Sequence, residues 1–159
     1  MRGPGHRARG RLKSNAPVVG AGDVRVEAPA PIVWTIMSTI GEWPRWNPEI
    51  STAHLDGPLA PGSTFRWRSG PGAITSVLRE VQPGELLEWT GRSFDVRAIH
   101  VWRIRPDGDG TIVRTEESWK GLPARLFRRR SKGTLDAAIA SGLALLKAEA
   151  ERQTAMQSR

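Results

Sequence analysis

The side chain best suited to acid–base chemistry in this sequence is His100. The chain has three histidines; His6 lies in a basic segment at the start of the chain, and His54 lies beside a turn. His100 is two residues before Trp102, so in a β-strand the two side chains share a face. If the next strand pairs with it antiparallel, Glu117 can lie opposite His100. A histidine oriented by a carboxylate can act as a general acid or base.

The predicted pair of His100 and Glu117 has three interpretations, which the sequence leaves open. It could be catalytic, it could anchor a bound ligand, or it could be a buried structural pair that fixes the strand register. A catalytic cavity needs two or more converging polar groups. The other candidates for that role are Ser76 and either Arg66 or Arg68.

Tryptophan is unusually frequent, with seven residues and no tyrosine in a chain of 159. Indole rings provide large apolar walls with one N–H donor each, which suits a small-molecule pocket. The alternative is that they fill a core. Together with apolar neighbours, the tryptophans in predicted helices and strands give these candidate ligand-binding residues: Trp34, Phe65, Trp67, Leu87, Trp89, His100, Trp102, Trp119, Ile139 and Leu143.

Several kinds of site are disfavoured by the sequence. The chain has no cysteine, no HExxH motif and no pair of histidines at ligand spacing, so we expect no metal site. The glycines of Gly20-Ala21-Gly22 do not form a dinucleotide loop, because Arg25 takes the place of the third glycine and a strand follows rather than precedes them. No G-x-S-x-G nucleophile elbow occurs. We therefore expect no cofactor.

The net charge of +8 comes from two segments. Residues 1–15 and 121–135 each carry five basic residues and no acidic one, and the rest of the chain is slightly negative. A nucleic-acid-binding protein usually spreads basic residues over a folded face with aromatics among them, so we expect no nucleic-acid partner. The run Arg128-Arg129-Arg130 fits a solvated helix face better than a contact with a membrane surface or an anionic ligand tail.

The chain is predicted to form one domain over residues 21–155, after a disordered basic tail at residues 1–20. No stretch is apolar over the length needed to cross a bilayer, and no signal peptide is evident, so we expect a cytoplasmic protein. The predicted order is a short strand that begins at Val24 and stops at Ala28-Pro29, two short helices, six strands joined by turns, and a long helix. The predicted strands after the helices are Ile50–Leu55, Thr64–Arg68, Ile74–Val81, Leu86–Thr90, Val96–Arg105 and Thr111–Trp119.

The predicted C-terminal helix runs without interruption over Pro123–Gln153. Apolar and small residues form one stripe along it, at Leu135, Ile139, Gly142, Leu143 and Leu146. This stripe must be buried, and the apolar face of the antiparallel sheet is the large partner available. The sequence therefore predicts an α+β fold in which a long helix packs on a sheet.

This order resembles the helix-grip fold of the START/Bet v1-like (SRPBCC) superfamily, in particular its bacterial polyketide cyclase/dehydrase-like branch. The resemblance covers about residues 23–153 and rests on these segments: Trp43-Pro44-Arg45-Trp46-Asn47-Pro48, Leu59–Trp67, Leu87–Gly91, His100-Val101-Trp102 and Gly110–Gly121. It implies a seven-stranded curved antiparallel sheet wrapped around the long helix, with a cavity between them. Members of such a superfamily differ in function, so the fold does not settle the activity.

The first functional hypothesis is that the cavity binds a hydrophobic, lipid- or polyketide-like small molecule. The alternative is a polyketide cyclase or dehydratase that uses His100 as general acid or base, with Glu117 beside it. A regulatory module that binds a partner is a third hypothesis. The sequence leaves open whether the protein is a monomer or a homodimer, and whether it touches membranes transiently.

Overall fold

The computed structural model describes residues 15–159 and contains one curved, seven-stranded antiparallel sheet. The strand order is β1-β7-β6-β5-β4-β3-β2, a meander from β2 to β7 with the first strand added beside β7. The strands are β1 (Val18–Val26), β2 (Ile50–Asp56), β3 (Thr64–Ser69), β4 (Gly72–Gln82), β5 (Leu86–Ser93), β6 (Val96–Asp107) and β7 (Gly110–Lys120). The helices are α1 (Ala30–Ser38), α2 (Trp43–Trp46), α3 (Leu122–Leu126) and α4 (Arg128–Gln157). The predicted helix-grip architecture is confirmed.

Strand β1 begins earlier than the sequence pattern predicts. It starts at Val18 rather than Val24, and Val18 pairs with Trp119 of β7. The side chain of Val18 is buried in the core. Residues 18–20, which the sequence placed in a disordered tail, are therefore part of the sheet, and the rest of that predicted tail up to residue 14 lies outside the described residues.

The prediction of one uninterrupted C-terminal helix is wrong at its start. Phe127 has φ −114° and ψ 43°, which ends α3 before α4 begins. The short α3 buries Ala124 and leaves Leu122 and Leu126 exposed. Gly121 precedes it with φ 132°, and a Cβ at that position would lie 1.9 Å from the carbonyl oxygen of Asp95. Glycine permits this close backbone approach.

The predicted apolar stripe of the long helix is confirmed. Leu135, Ile139, Leu143 and Leu146 of α4 are all buried. The helix comes close to β1 because that strand carries small residues. A Cβ at Gly20 would lie 2.8 Å from Ile139 Cδ1, so the glycine provides the space that the helix occupies. Among residues 15–159, no helix combines the length and apolarity required to cross a membrane.

The space between α4 and the sheet has a closed end and an open end. At the closed end, α1 packs beside α4 over fully buried side chains that include Val26, Phe65 and Val113. At the open end lie the β3–β4 turn, the β5–β6 turn and the start of α4. Residues of one sheet face therefore fill the core near the closed end and surround a cavity near the open end.

Candidate ligand-binding site

A cavity of about 430 Å³ lies between the sheet and α4. Its walls come from the concave face of β3 to β7, from the segment around α2, and from the stretch of α4 that includes Ile139 and Gly142. This size is within the range typical of small-molecule pockets. The walls are mainly apolar, so the cavity suits an apolar molecule of modest size.

Aromatic rings form much of the inner wall. The ring of Trp43 in α2 lies 5.8 Å from that of Trp67 and 5.6 Å from that of Trp89, both on the wall, and 5.6 Å from that of Phe65 in the core. The contacts with Phe65 and Trp67 are edge-to-face, an arrangement that aromatic pairs favour. These mutual contacts pack the rings against one another.

The structure places six of the ten predicted ligand-binding residues on the cavity wall: Trp67, Trp89, His100, Trp102, Trp119 and Ile139. The other four are Trp34, Phe65, Leu87 and Leu143, and they lie away from the wall. Phe65 and Leu87 are buried in the core. Each is two residues from a wall tryptophan on the same face, which moves it about 6.6 Å along its strand toward the closed end.

The other two predicted ligand-binding residues that do not line the cavity lie in helices. Leu143 is buried against β1, where its Cδ1 lies 3.0 Å from the Cβ position of Gly22. Trp34 of α1 is partly buried and packs against the core. Helical periodicity identifies an apolar face, but it cannot show which part of that face meets the core and which part meets a cavity.

His100 and Glu117 meet across β6 and β7, as the strand parity predicts. Their Cα atoms are register partners, and His100 Nε2 lies 3.1 Å from Glu117 Oε1. The indole N–H of Trp119 donates to the same Glu117 oxygen at 2.5 Å. His100 also stacks on Trp89, with centroids 4.9 Å apart and planes 13° apart. All four side chains line the cavity.

Burial makes this pair electrically neutral. Desolvation raises the pKa of Glu117 to about 8, although the hydrogen bond from Trp119 opposes the shift. Desolvation also lowers the pKa of His100 to about 3. Near neutral pH the carboxyl is therefore protonated and the imidazole is uncharged. The pair can still offer both a donor and an acceptor to a bound molecule.

Unused hydrogen-bonding groups remain at the cavity. No residue among 15–159 bonds His100 Nδ1, and the buried indole N–H of Trp89 and that of Trp46 have no partner within the same part of the chain. The indole N–H of Trp67, by contrast, donates to Ser76 Oγ at 3.1 Å. An unpaired buried donor is costly, but protein atoms enclose both indole nitrogens, so a ligand in the cavity does not contact them in this structure.

The two arginine candidates do not reach the cavity. Arg66 and Arg68 are exposed and alternate with Trp67, so they point away from the concave face. Arg66 pairs with Asp56 on that outer face. Across residues 15–159, no lysine or arginine lines the cavity, whose ionisable groups are His100, Glu117 and Glu49. Nor does this part of the chain hold a cluster of three His, Cys, Asp or Glu residues able to bind a metal.

Sequence reasoning missed the contribution of the segment after α1. Trp43, Trp46 and Asn47 line the cavity, and Trp43 has its indole N–H bonded to the Met37 carbonyl at 3.1 Å. The two tryptophans are spaced by three residues, which puts them on one side of a helical turn. That spacing was a usable signal, but the fold was needed to show that this turn covers the cavity.

The neutral pair predicts a specific pH dependence of stability. In the unfolded chain Glu117 and His100 would titrate near their ordinary values of 4.5 and 6.5. The folded state then holds one more proton than the unfolded state between pH 6.5 and about 8, so stability falls there as pH rises, by roughly 2 kcal/mol. Between pH 4.5 and 6.5 the two states hold equal numbers of protons, and this pair contributes no slope. Urea unfolding at several pH values measures how the free energy of unfolding changes with pH.

The control for this prediction is Glu117→Gln, which keeps the size of the side chain and removes its titration. We expect its stability to lose the contribution that falls between pH 6.5 and 8. The same decline in Glu117→Gln as in the parent protein would show that Glu117 is not protonated in the folded state.

The sheet, the long helix and the cavity between them define the class of protein: a helix-grip protein of the START-like type. More specifically, the chain belongs to the family described as polyketide cyclase/dehydrase and lipid transport, whose model matches residues 20–151. The resemblance inferred from the sequence is thereby confirmed. No curated protein matches the sequence.

Solved structures share the fold at low sequence identity. Hypothetical protein jhp0584 from Helicobacter pylori superposes with a TM-score of 0.77 at 15% identity, covering 94% of this chain and 99% of its own. A START superfamily protein from Mycobacterium smegmatis has a TM-score of 0.69 at 19% identity, covering 86% and 99%. The Zhui aromatase/cyclase from Streptomyces sp. R1128 has a TM-score of 0.71 at 16% identity, covering 85% and 94%. At these identities the likeness concerns the fold alone.

Proposed function

We propose that this protein binds an uncharged hydrophobic molecule, lipid- or polyketide-like, in the cavity between the sheet and α4. The observation that carries the proposal is the 430 Å³ cavity, whose aromatic walls enclose the buried pair of His100 and Glu117. The family description, which names both polyketide chemistry and lipid transport, supports the same class of ligand.

The polarity of the wall favours a neutral ligand over an anionic one. A carboxylate or phosphate inside the cavity would meet no lysine or arginine among the described residues. It would also lie in the same desolvated space as Glu117, whose raised pKa already reflects how poorly this environment accommodates negative charge. A carbonyl or hydroxyl group can instead bond with the neutral pair of His100 and Glu117, which offers both a donor and an acceptor.

Replacing His100 with Ala should weaken binding of an uncharged probe without unfolding the protein. N-phenyl-1-naphthylamine suits the test, because it is apolar and carries one N–H that His100 Nδ1 can accept. Loss of one buried hydrogen bond should raise the Kd about five- to thirty-fold, equivalent to about 1–2 kcal/mol. Quenching of tryptophan fluorescence by the probe at pH 6.5 measures it.

His54→Ala is the matched control, because His54 is a strand histidine whose side chain is exposed. It should leave the Kd of the probe unchanged. Linear, unsaturable quenching in the parent protein would contradict ligand binding in the cavity. An unchanged Kd in His100→Ala would contradict the role of His100 as the polar anchor.

Catalysis is the second candidate function, and the pairing of His100 with Glu117 is what favours it. In a cyclase or dehydratase, His100 would accept a proton from the carbon between two carbonyls, and protonated Glu117 would donate to a departing hydroxyl. The lowered pKa of His100 makes it a weak base in this environment. Binding therefore has the stronger physical support.

A synthetic poly-β-ketone thioester distinguishes catalysis from binding, since ring closure and dehydration produce an aromatic chromophore. If the protein is an enzyme, His100→Ala should lower turnover by about 10²–10⁴-fold while KM changes little. Aromatic product that forms no faster with the parent protein than in buffer would leave binding as the function of the cavity.

A further inference from the structure

The open end of the fold carries a group of exposed apolar side chains, called here the open-end patch. It consists of Phe94, Leu122, Leu126 and Phe127, which are 88%, 61%, 66% and 61% exposed. They account for four of the six large apolar side chains that residues 15–159 leave exposed. Single exposed apolar residues are ordinary, but a group of them at one end of a molecule marks an interaction surface.

The backbone holds the parts of the open-end patch together. Phe94 is in the β5–β6 turn with φ 50°, and it lines the cavity. The next residue, Asp95, touches Gly121 so closely that any Cβ there would clash with the Asp95 carbonyl oxygen. Leu122 follows Gly121 directly. The β5–β6 turn and α3 are therefore fixed side by side at the mouth of the cavity.

Basic side chains lie next to the apolar ones along the chain. Arg125, Arg128, Arg129 and Arg130 are exposed, and within residues 15–159 none of them forms an ion pair. Lys132 is also exposed and pairs with Asp136 one turn along α4. No acidic residue occurs between 121 and 135. The open end thus combines protruding apolar groups with positive charge that has no partner in this part of the protein.

We propose that the open-end patch docks on an anionic phospholipid bilayer, with the mouth of the cavity facing the membrane. The bulky apolar side chains would enter the boundary between headgroups and acyl chains, and the arginines would contact lipid phosphates. An uncharged apolar ligand could then pass between bilayer and cavity with little exposure to water. This docking goes beyond ligand binding and does not require it.

The arrangement favours a bilayer over an acidic protein partner. The four large apolar side chains lie on two separate elements and protrude from the surface. A protein partner would instead need a pocket for its own anchor residues. Interfacial membrane binding requires this combination of bulky apolar groups and surrounding cationic ones. Exposed arginines at the opposite end of the fold have one large exposed apolar side chain near them, Met156, instead of a group of four, which provides a control within the same chain.

Co-sedimentation with lipid vesicles tests the proposal. The parent protein should bind vesicles of phosphatidylcholine and phosphatidylglycerol, and should bind pure phosphatidylcholine vesicles much more weakly. The triple variant R128E/R129E/R130E should lose about 100-fold or more in partition coefficient, since each cation near the surface contributes about five-fold. F94S/L126S/F127S should also reduce binding, and raised salt should weaken the parent's binding.

Two control variants match these changes at the far end of the fold. R79E/R105E/R159E alters the net charge equally at exposed sites toward the closed end, and Met156→Ser removes an exposed apolar side chain there. Both should bind anionic vesicles nearly as the parent does, and circular dichroism should show every variant folded. A parent protein that stays in the supernatant would overturn the proposal. The basic residues Arg128, Arg129 and Arg130 would then fit an acidic protein partner instead. Equal loss in R79E/R105E/R159E would also overturn it, because net charge alone would then explain binding.

Discussion

Replacing Leu143 with Asp is expected to lower the free energy of unfolding by about 3 kcal/mol or more. Leu143 is 6% exposed, and it packs where α4 meets Gly22 of β1. The aspartate would either bury a carboxylate beside apolar groups or push α4 away from the sheet. Chemical unfolding in urea, with the slope compared as well as the midpoint, measures the loss.

Ala140→Asp is the matched control for this experiment. It introduces the same carboxylate three residues earlier in α4, at an exposed position. We expect its cost to stay below about 1 kcal/mol, the range of helix propensity and surface effects. Comparable losses of stability in the two variants would mean that aspartate destabilises α4 through its low helix propensity rather than through lost packing on the sheet.

Replacing Gly142 with Phe should nearly abolish ligand binding and leave the fold intact. Gly142 lines the cavity, and Trp102 Cη2 lies 3.8 Å from its Cβ position. A phenyl group attached there would enter the space that a ligand needs. We expect the Kd of N-phenyl-1-naphthylamine to rise about 100-fold or more, equivalent to about 2.7 kcal/mol. Stability should hold, because glycine is unfavourable within a helix.

Gly133→Phe separates occlusion of the cavity from the effect of removing a helical glycine. Gly133 is exposed in the same helix, with open space around its Cβ position. It should leave probe binding unchanged. If Gly142→Phe bound the probe as well as the parent, the ligand would have to lie outside the cavity described here, and the proposed function would lose its site.

The substitutions Leu143→Asp and Gly142→Phe affect different faces of α4. One face stabilises the fold by packing on the sheet, and the other lines the ligand cavity. The part of α4 that faces β1 packs closely on it, since Gly20 and Gly22 allow close approach. The part that faces Trp102 leaves space at Gly142. Stability and ligand binding can therefore be changed separately by substitutions one residue apart.

The sequence alone predicted the fold because its signals were local and repeated. Alternating apolar residues and Gly/Pro-containing turns identified six strands, and a helical stripe identified the face of α4 that is buried. The pairing of His100 with Glu117 was also accessible, because strand parity together with an antiparallel meander permits few registers. These predictions depend on residues that are close in sequence or joined by a single turn, and the sequence shows those relationships directly.

Tertiary structure decided which apolar residues surround empty space. Phe65 and Trp67 share a strand face, yet Phe65 is fully buried at the closed end and Trp67 lines the cavity. The difference depends on where α1, α2 and α4 converge over the sheet, and no periodicity encodes that convergence. The same holds for the pKa of Glu117, which is raised because elements distant in sequence exclude water from it. The sequence by itself determined the architecture and the paired polar residues, whereas the cavity and its electrostatics arose from packing among segments that contact one another only after folding.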